Sequence, residues 1–116
     1  MNNEKIYNMS FSKVYECLLN KVERKARTKE ELNCLINWLL GYSSEEIEEL
    51  LIQDVTYQTF FLDAPCLNPN RHLITGSICG IKLSEIEEPL MQDIRYLDKL
   101  VDELAKGKQI EKILRK

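Results

Sequence analysis

The chain has one histidine, no Cys-x-x-Cys pair and no glycine-rich loop, and each absence removes a class of chemistry. Its four cysteines, Cys17, Cys34, Cys66 and Cys79, are scattered. The tightest grouping, Cys66 with His72 and Cys79, has gaps that match no common zinc spacing, so no metal site is expected. With only four glycines in 116 residues, nothing forms a backbone cradle for phosphates, and no cofactor is expected. No apolar run reaches the roughly 18–20 residues a membrane helix needs. The first residues are polar and carry no apolar export signal, which points to the cytoplasm, where thiols stay reduced. There is no basic excess either. The net charge of −3 argues against a dedicated nucleic-acid binder. No segment alternates with period two, which leaves little room for strands.

What is present is helical period. Phe11, Val14, Tyr15, Leu18, Leu19 and Val22 fall at spacings of three and four, and so form one apolar stripe. Thr28 followed by Glu31 reads as a capping box, in which the hydroxyl accepts from the third amide and the glutamate reaches back. It opens a second stripe of Leu32, Leu35, Ile36 and Leu39, stopped by Gly41. Ser43 and Glu46 form another capping box, ahead of Ile47, Leu50 and Leu51. Thr56 caps a short helix carrying Tyr57, Phe60 and Phe61. Leu73, Ile74 and Ile78 suggest a further short helix ended by Gly80. A turn at 84–88 then leads to a long helix with Pro89 in its first position and Leu90, Ile94, Leu97, Val101 and Leu104 inward. Residues 1–9 read as a loose arm, and the cysteines as core residues. The expected fold is a single all-α domain over residues 1–116, a compact bundle of five to six short helices with a long C-terminal one.

Self-comparison adds an internal repeat. Residues 41–57 and 80–96 match at Gly41/Gly80, Ile47/Ile86, Gln53/Gln92, Asp54/Asp93 and Tyr57/Tyr96, besides a run of glutamates. The expectation is a helix–Gly–helix unit used twice, with residues 27–65 and 66–106 as duplicated halves. Pro89 stands where the first copy has Leu50, so the two backbones cannot be identical.

The segment Ala64-Pro-Cys-Leu-Asn-Pro-Asn-Arg71 cannot be regular helix and is the leading candidate site, because binding residues concentrate on ordered loops. Asn68, Asn70 and Arg71 could present donors to an anion, with Thr75 and Cys79 following. Against this, asparagine commonly only caps turns. Arg95 and Asp98 on the long helix complete the ligand-binding set. They are also what a solvated face of ion pairs would show. Cys79 and His72, seven residues apart, would lie about 10 Å apart on a helix, too far for a nucleophile and its base. Charge is segregated: Glu45, Glu46, Glu48, Glu49, Asp54 and Asp63 lie between Gly41 and Pro65, a stretch without Lys or Arg, whereas the last residues are basic.

The segments Trp38-Leu-Leu-Gly-Tyr42, Thr59-Phe-Phe61, Asn68-Pro-Asn70, Leu73-Ile-Thr-Gly76 and the run from Ile86 to Gly107 resemble a bacterial family, domain of unknown function 2200 (DUF2200). The likeness spans roughly residue 11 to the C-terminus and departs at His72, which weakens that residue as a general base. It implies a small bacterial protein and supplies no catalytic residues.

The function expected from these features is a binding or interaction module, for a protein partner, a second copy of the chain or a small anionic ligand. The alternatives are a small enzyme using Asn68, Arg71, Arg95 and Asp98 together, which requires those groups to line one cleft, and a helix-turn-helix-like DNA binder.

Overall fold

A computed structural model describes residues 3–115. Helices dominate it: α1 (Asn3–Tyr7), α2 (Phe11–Glu23), α3 (Lys29–Leu40), α4 (Ser44–Gln53), α5 (Tyr57–Leu62), α6 (Pro89–Ala105) and α7 (Ile110–Ile113). Between α5 and α6 lie a 3-10 helix (Pro69–Leu73), a hairpin of β1 (Ser77–Ile78) and β2 (Ile81–Lys82), and a second 3-10 turn (Leu83–Glu85). The all-α class holds, with seven α-helices among the described residues rather than five or six.

Local sequence explains most boundaries. Both capping boxes form, at Thr28 with Glu31 and at Ser43 with Glu46. The Thr56 hydroxyl accepts from the Thr59 amide. Pro89 is the first residue of α6, where its missing N–H costs nothing. Gly41 ends α3 at φ 89°, a left-handed conformation.

The core is a three-helix arrangement of α2, α3 and α6, with α5 closing one end. Val22, Leu32, Leu35, Ile36, Leu39, Leu97, Leu100 and Leu104 are fully buried. A ring stack of Phe11, Phe60 and Tyr42, with centroids 4.1 and 5.1 Å apart, joins α2 to α5 and to the end of α3. Tyr15 donates to Asn33 Oδ1 at 2.6 Å, which satisfies a buried amide between α2 and α3.

Four expectations need correction. Residues 3–7 are not an arm: they form α1, with Tyr7 buried and its hydroxyl on Glu88, and Asn3 Nδ2 3.1 Å from the same carboxylate (residues 1 and 2 lie outside the described residues). Residues 74–78 are not helical, since the 3-10 helix ends at Leu73. Cys79 and Gly80 take positive φ (52° and 78°) and turn the chain into a hairpin that pairs Ile78 with Ile81. The cysteines are not core residues: Cys17, Cys66 and Cys79 are exposed and Cys34 is half-buried. Nor do the repeated sequences repeat a structure. Gln53-Asp-x-x-Tyr57 spans the break between α4 and α5, with Asp54 left-handed, whereas Gln92-Asp-x-x-Tyr96 lies inside the continuous α6. Asp54 accepts from Ser10 and Ser12 there, and Asp93 from Arg71. The same side chains serve different partners because Pro89 delays the second helix to its own position.

Candidate functional site

One face of α6 braces much of the segment between α5 and α6. Residues at spacings of three and four share a helix face. Gln92, Asp93, Tyr96 and Lys99 each reach a different part of the non-helical segment. Gln92 Nε2 donates to the Leu83 carbonyl at 3.1 Å. Asp93 Oδ1 accepts from Arg71 Nε at 2.9 Å. Tyr96 Oη meets His72 Nδ1 at 3.2 Å, and Lys99 Nζ donates to the Ser77 carbonyl at 3.1 Å. The far side of the segment is tied to α3, where the Cys66 and Asn68 amides donate to the Leu40 and Leu39 carbonyls at 3.0 Å each. These bonds use carbonyls that the end of α3 would otherwise leave open. A Cβ on Gly41 would lie 2.9 Å from the Cys66 nitrogen, so this approach requires glycine.

The bracing leaves a cleft of about 370 Å³. Ile74 and Leu83 are its buried apolar base, and His72, Thr75, Ser84 and Tyr96 bring polar groups to it. Among the described residues its lining contains no carboxylate and no lysine or arginine. Burial raises the Tyr96 phenol above its ordinary range, with the nearby Asp93 charge adding to the effect. Tyr96 therefore stays a neutral donor or acceptor at physiological pH.

The residues proposed from sequence are distributed differently. The Asn68 side chain accepts from the Asn70 amide at 2.9 Å and caps the 3-10 helix, and Asn70 is exposed. Arg71 is committed to Asp93 and to the Asn68 carbonyl, where its Nη1 lies at 2.9 Å, so it braces the loop. Thr75 lines the cleft. Cys79 sits at the exposed hairpin turn, outside the cleft lining and off any helix with His72. Arg95 and Asp98 pair at 3.0 Å, roughly 140–160° around α6 from Asp93. Burial raises the Asp98 carboxyl against the opposing pull of Arg95. Asn68, Arg71, Arg95 and Asp98 thus do not line one cleft.

Sequence reasoning missed Ser84, Gln92 and Tyr96. The last two did stand out as repeat matches, and their spacing of four already placed them on one helix face. That this face meets the 66–85 segment is a tertiary fact. Among the described residues no group of three or more His, Cys, Asp or Glu could hold a metal ion, and no helix is long and apolar enough to cross a membrane.

The fold has a solved counterpart. The chain is similar to the crystal structure of uncharacterized protein SP1917, at 49% sequence identity and a TM-score of 0.93, over 98% of this chain and 93% of that one. A comparison with curated proteins found no match. Residues 5–115 match the family described as an uncharacterized protein conserved in bacteria, DUF2200. That match includes the segment between α5 and α6, and it is to this bacterial family that the chain belongs.

Proposed function

We propose that the protein is a binding module whose ligand site is the cleft under residues 72–76, and that the ligand is a small molecule with an anionic group, a carboxylate or a phosphate. The observation that carries this reading is the lining. In a chain with 19 acidic residues, no carboxylate among the described residues lines the cleft, while an imidazole, a phenol and two hydroxyls do. From Ala64 to Ser84 the sequence has no acid at all. Hydroxyl and phenol donors over an apolar base suit a ligand with a short carbon skeleton and an oxyanion. The separation of Arg71 from the Arg95–Asp98 pair favours binding over catalysis, since the polar groups available to act on a substrate do not converge. Four unpaired cysteines, three of them exposed, suit a reducing cytoplasm.

The test is a thermal-melt series with inorganic phosphate, small sugar phosphates and small carboxylic acids on the wild type and on a Thr75→Val, His72→Ala variant. A ligand at a hundred times its dissociation constant adds about 2.7 kcal/mol, which is several degrees here. A shift in the wild type that vanishes in the variant supports the cleft. No shift with any oxyanion, or an equal shift in the variant, overturns it.

A further inference from the structure

A second cavity, of about 400 Å³, lies on the other face of α6, between Asn3 of α1, Ile81 of β2, the 85–88 turn and the α6 pair Met91 and Arg95. Its chemistry is the reverse of the first. Ile81, Ile86 and Met91 form apolar walls, and Glu85, Glu87 and Glu88 stand around them. Glu88 is occupied as a strut, because it accepts from Asn3 and Tyr7 and so holds α1 over the cavity. Glu85 and Glu87 make no ion pair or side-chain hydrogen bond among the described residues and stay exposed.

Among the described residues the one cation in the lining is Arg95, whose side chain is only 15% exposed. Asp98 takes one of its five N–H groups, through Nη1. No acceptor among the described residues takes the rest. Arg95 therefore brings unpaired N–H groups to the interior edge of the cavity, and the outer edge has carboxylates in excess of donors. Buried donors left unpaired cost stability, and an arriving carboxylate would relieve that.

We infer that this cavity binds a small aliphatic zwitterion, an α-amino acid. Its carboxylate lies on Arg95, its ammonium on Glu85 and Glu87, and its side chain among Ile81, Ile86 and Met91. A simple cation is not the better fit, since it would face Arg95. A simple anion would face the glutamates. Only a ligand with both charges at one end and a short apolar group complements all three parts of the lining. The inference does not rest on the cleft under residues 72–76, which shares no lining residue with it.

The experiment is calorimetric titration of the whole protein with leucine, isocaproic acid and isoamylamine as probes, in the wild type and in a Glu85→Gln, Glu87→Gln variant. Both glutamates are exposed, so the variant should fold, and an unchanged melting temperature without ligand checks this. The expected result is millimolar or tighter binding of leucine, at least about tenfold weaker binding of each half-molecule, and a loss of about tenfold or more in the variant. No leucine binding, equal binding of either half-molecule, or unchanged affinity in the folded variant overturns the inference. Thr75→Val should leave leucine binding unaltered, which keeps this test separate from the one for the first cleft.

Discussion

Arg71 Nε and Asp93 Oδ1 lie 2.9 Å apart, 22 residues apart in the chain, with side chains only 18% and 12% exposed. This pair joins the Asn-Pro-Asn loop to the middle of α6. Breaking a largely buried pair from one side strands the other charge. Asp93→Ala should therefore cost about 3 kcal/mol, roughly 10 °C in melting temperature. A smaller loss in Asp93→Asn, which can still accept from Arg71, would separate the hydrogen bond from the charge. Amide exchange at residues 68–76 should rise in both variants. Unchanged exchange there would show that the pair does not brace the loop.

Tyr57 offers the opposite experiment. Its hydroxyl is buried with no partner among the described residues, and an unsatisfied buried donor costs about 1–3 kcal/mol. Tyr57→Phe keeps the ring contacts with Phe60 and Phe61 and removes the orphan group. The variant should gain about 1 kcal/mol in urea unfolding, with no change in the slope. A loss would mean that the hydroxyl is satisfied in solution.

Two glycines with similar backbone and different surroundings separate strain from crowding. Gly41 has φ 89° and Gly107 φ 96°. A Cβ at Gly41 would meet the Cys66 backbone nitrogen at 2.9 Å, whereas one at Gly107 would meet nothing within 4 Å. Gly107→Ala should cost about 1 kcal/mol, for left-handed strain alone. Gly41→Ala should cost about 2 kcal/mol or more, because the bonds from Cys66 and Asn68 to α3 must also shift. Equal costs, measured by thermal unfolding, would remove the claim that Gly41 lets the loop approach.

The pH dependence has two signs on the acid side. Ser10 and Ser12 hold the Asp54 carboxyl low, Arg27 does so for Glu31, and Tyr7 with Asn3 for Glu88. Their contributions are present above the unfolded value near pH 4 and are lost as pH falls through the lowered folded values. Burial raises Asp98, so the folded state binds its proton first and this group favours folding as pH falls toward 4. The stability of Asp98→Asn relative to wild type should therefore decline as pH is lowered from neutral. A constant difference would place Asp98 in an ordinary environment. On the alkaline side, burial pushes Tyr7, Tyr15 and Tyr42 up to about 12. Stability should fall as pH rises from about 10 toward that value, with phenolate absorbance appearing together with unfolding.

Sequence alone determined the parts of this protein that obey local rules. The stripe from Phe11 to Val22, the two capping boxes, the stop at Gly41 and the start of α6 at Pro89 depend on residues within one or two turns of each other, and all are in place. The family was legible too, in the segments from Trp38 onward. Tertiary structure decided the rest, because the contacts involved cross long stretches of chain. Tyr7 reaches Glu88 over 81 residues, so an apparently loose arm becomes α1. Ile74 and Ile78 follow helical spacing, yet Cys79 and Gly80 turn back as a hairpin whose end is held by Lys99. Arg71 looked free to bind an anion until α6 supplied Asp93. A charged side chain declares its type in the sequence, but whether it faces a ligand or a partner within the fold depends on which helix face packs over it. For the 66–85 segment, α6 made that choice.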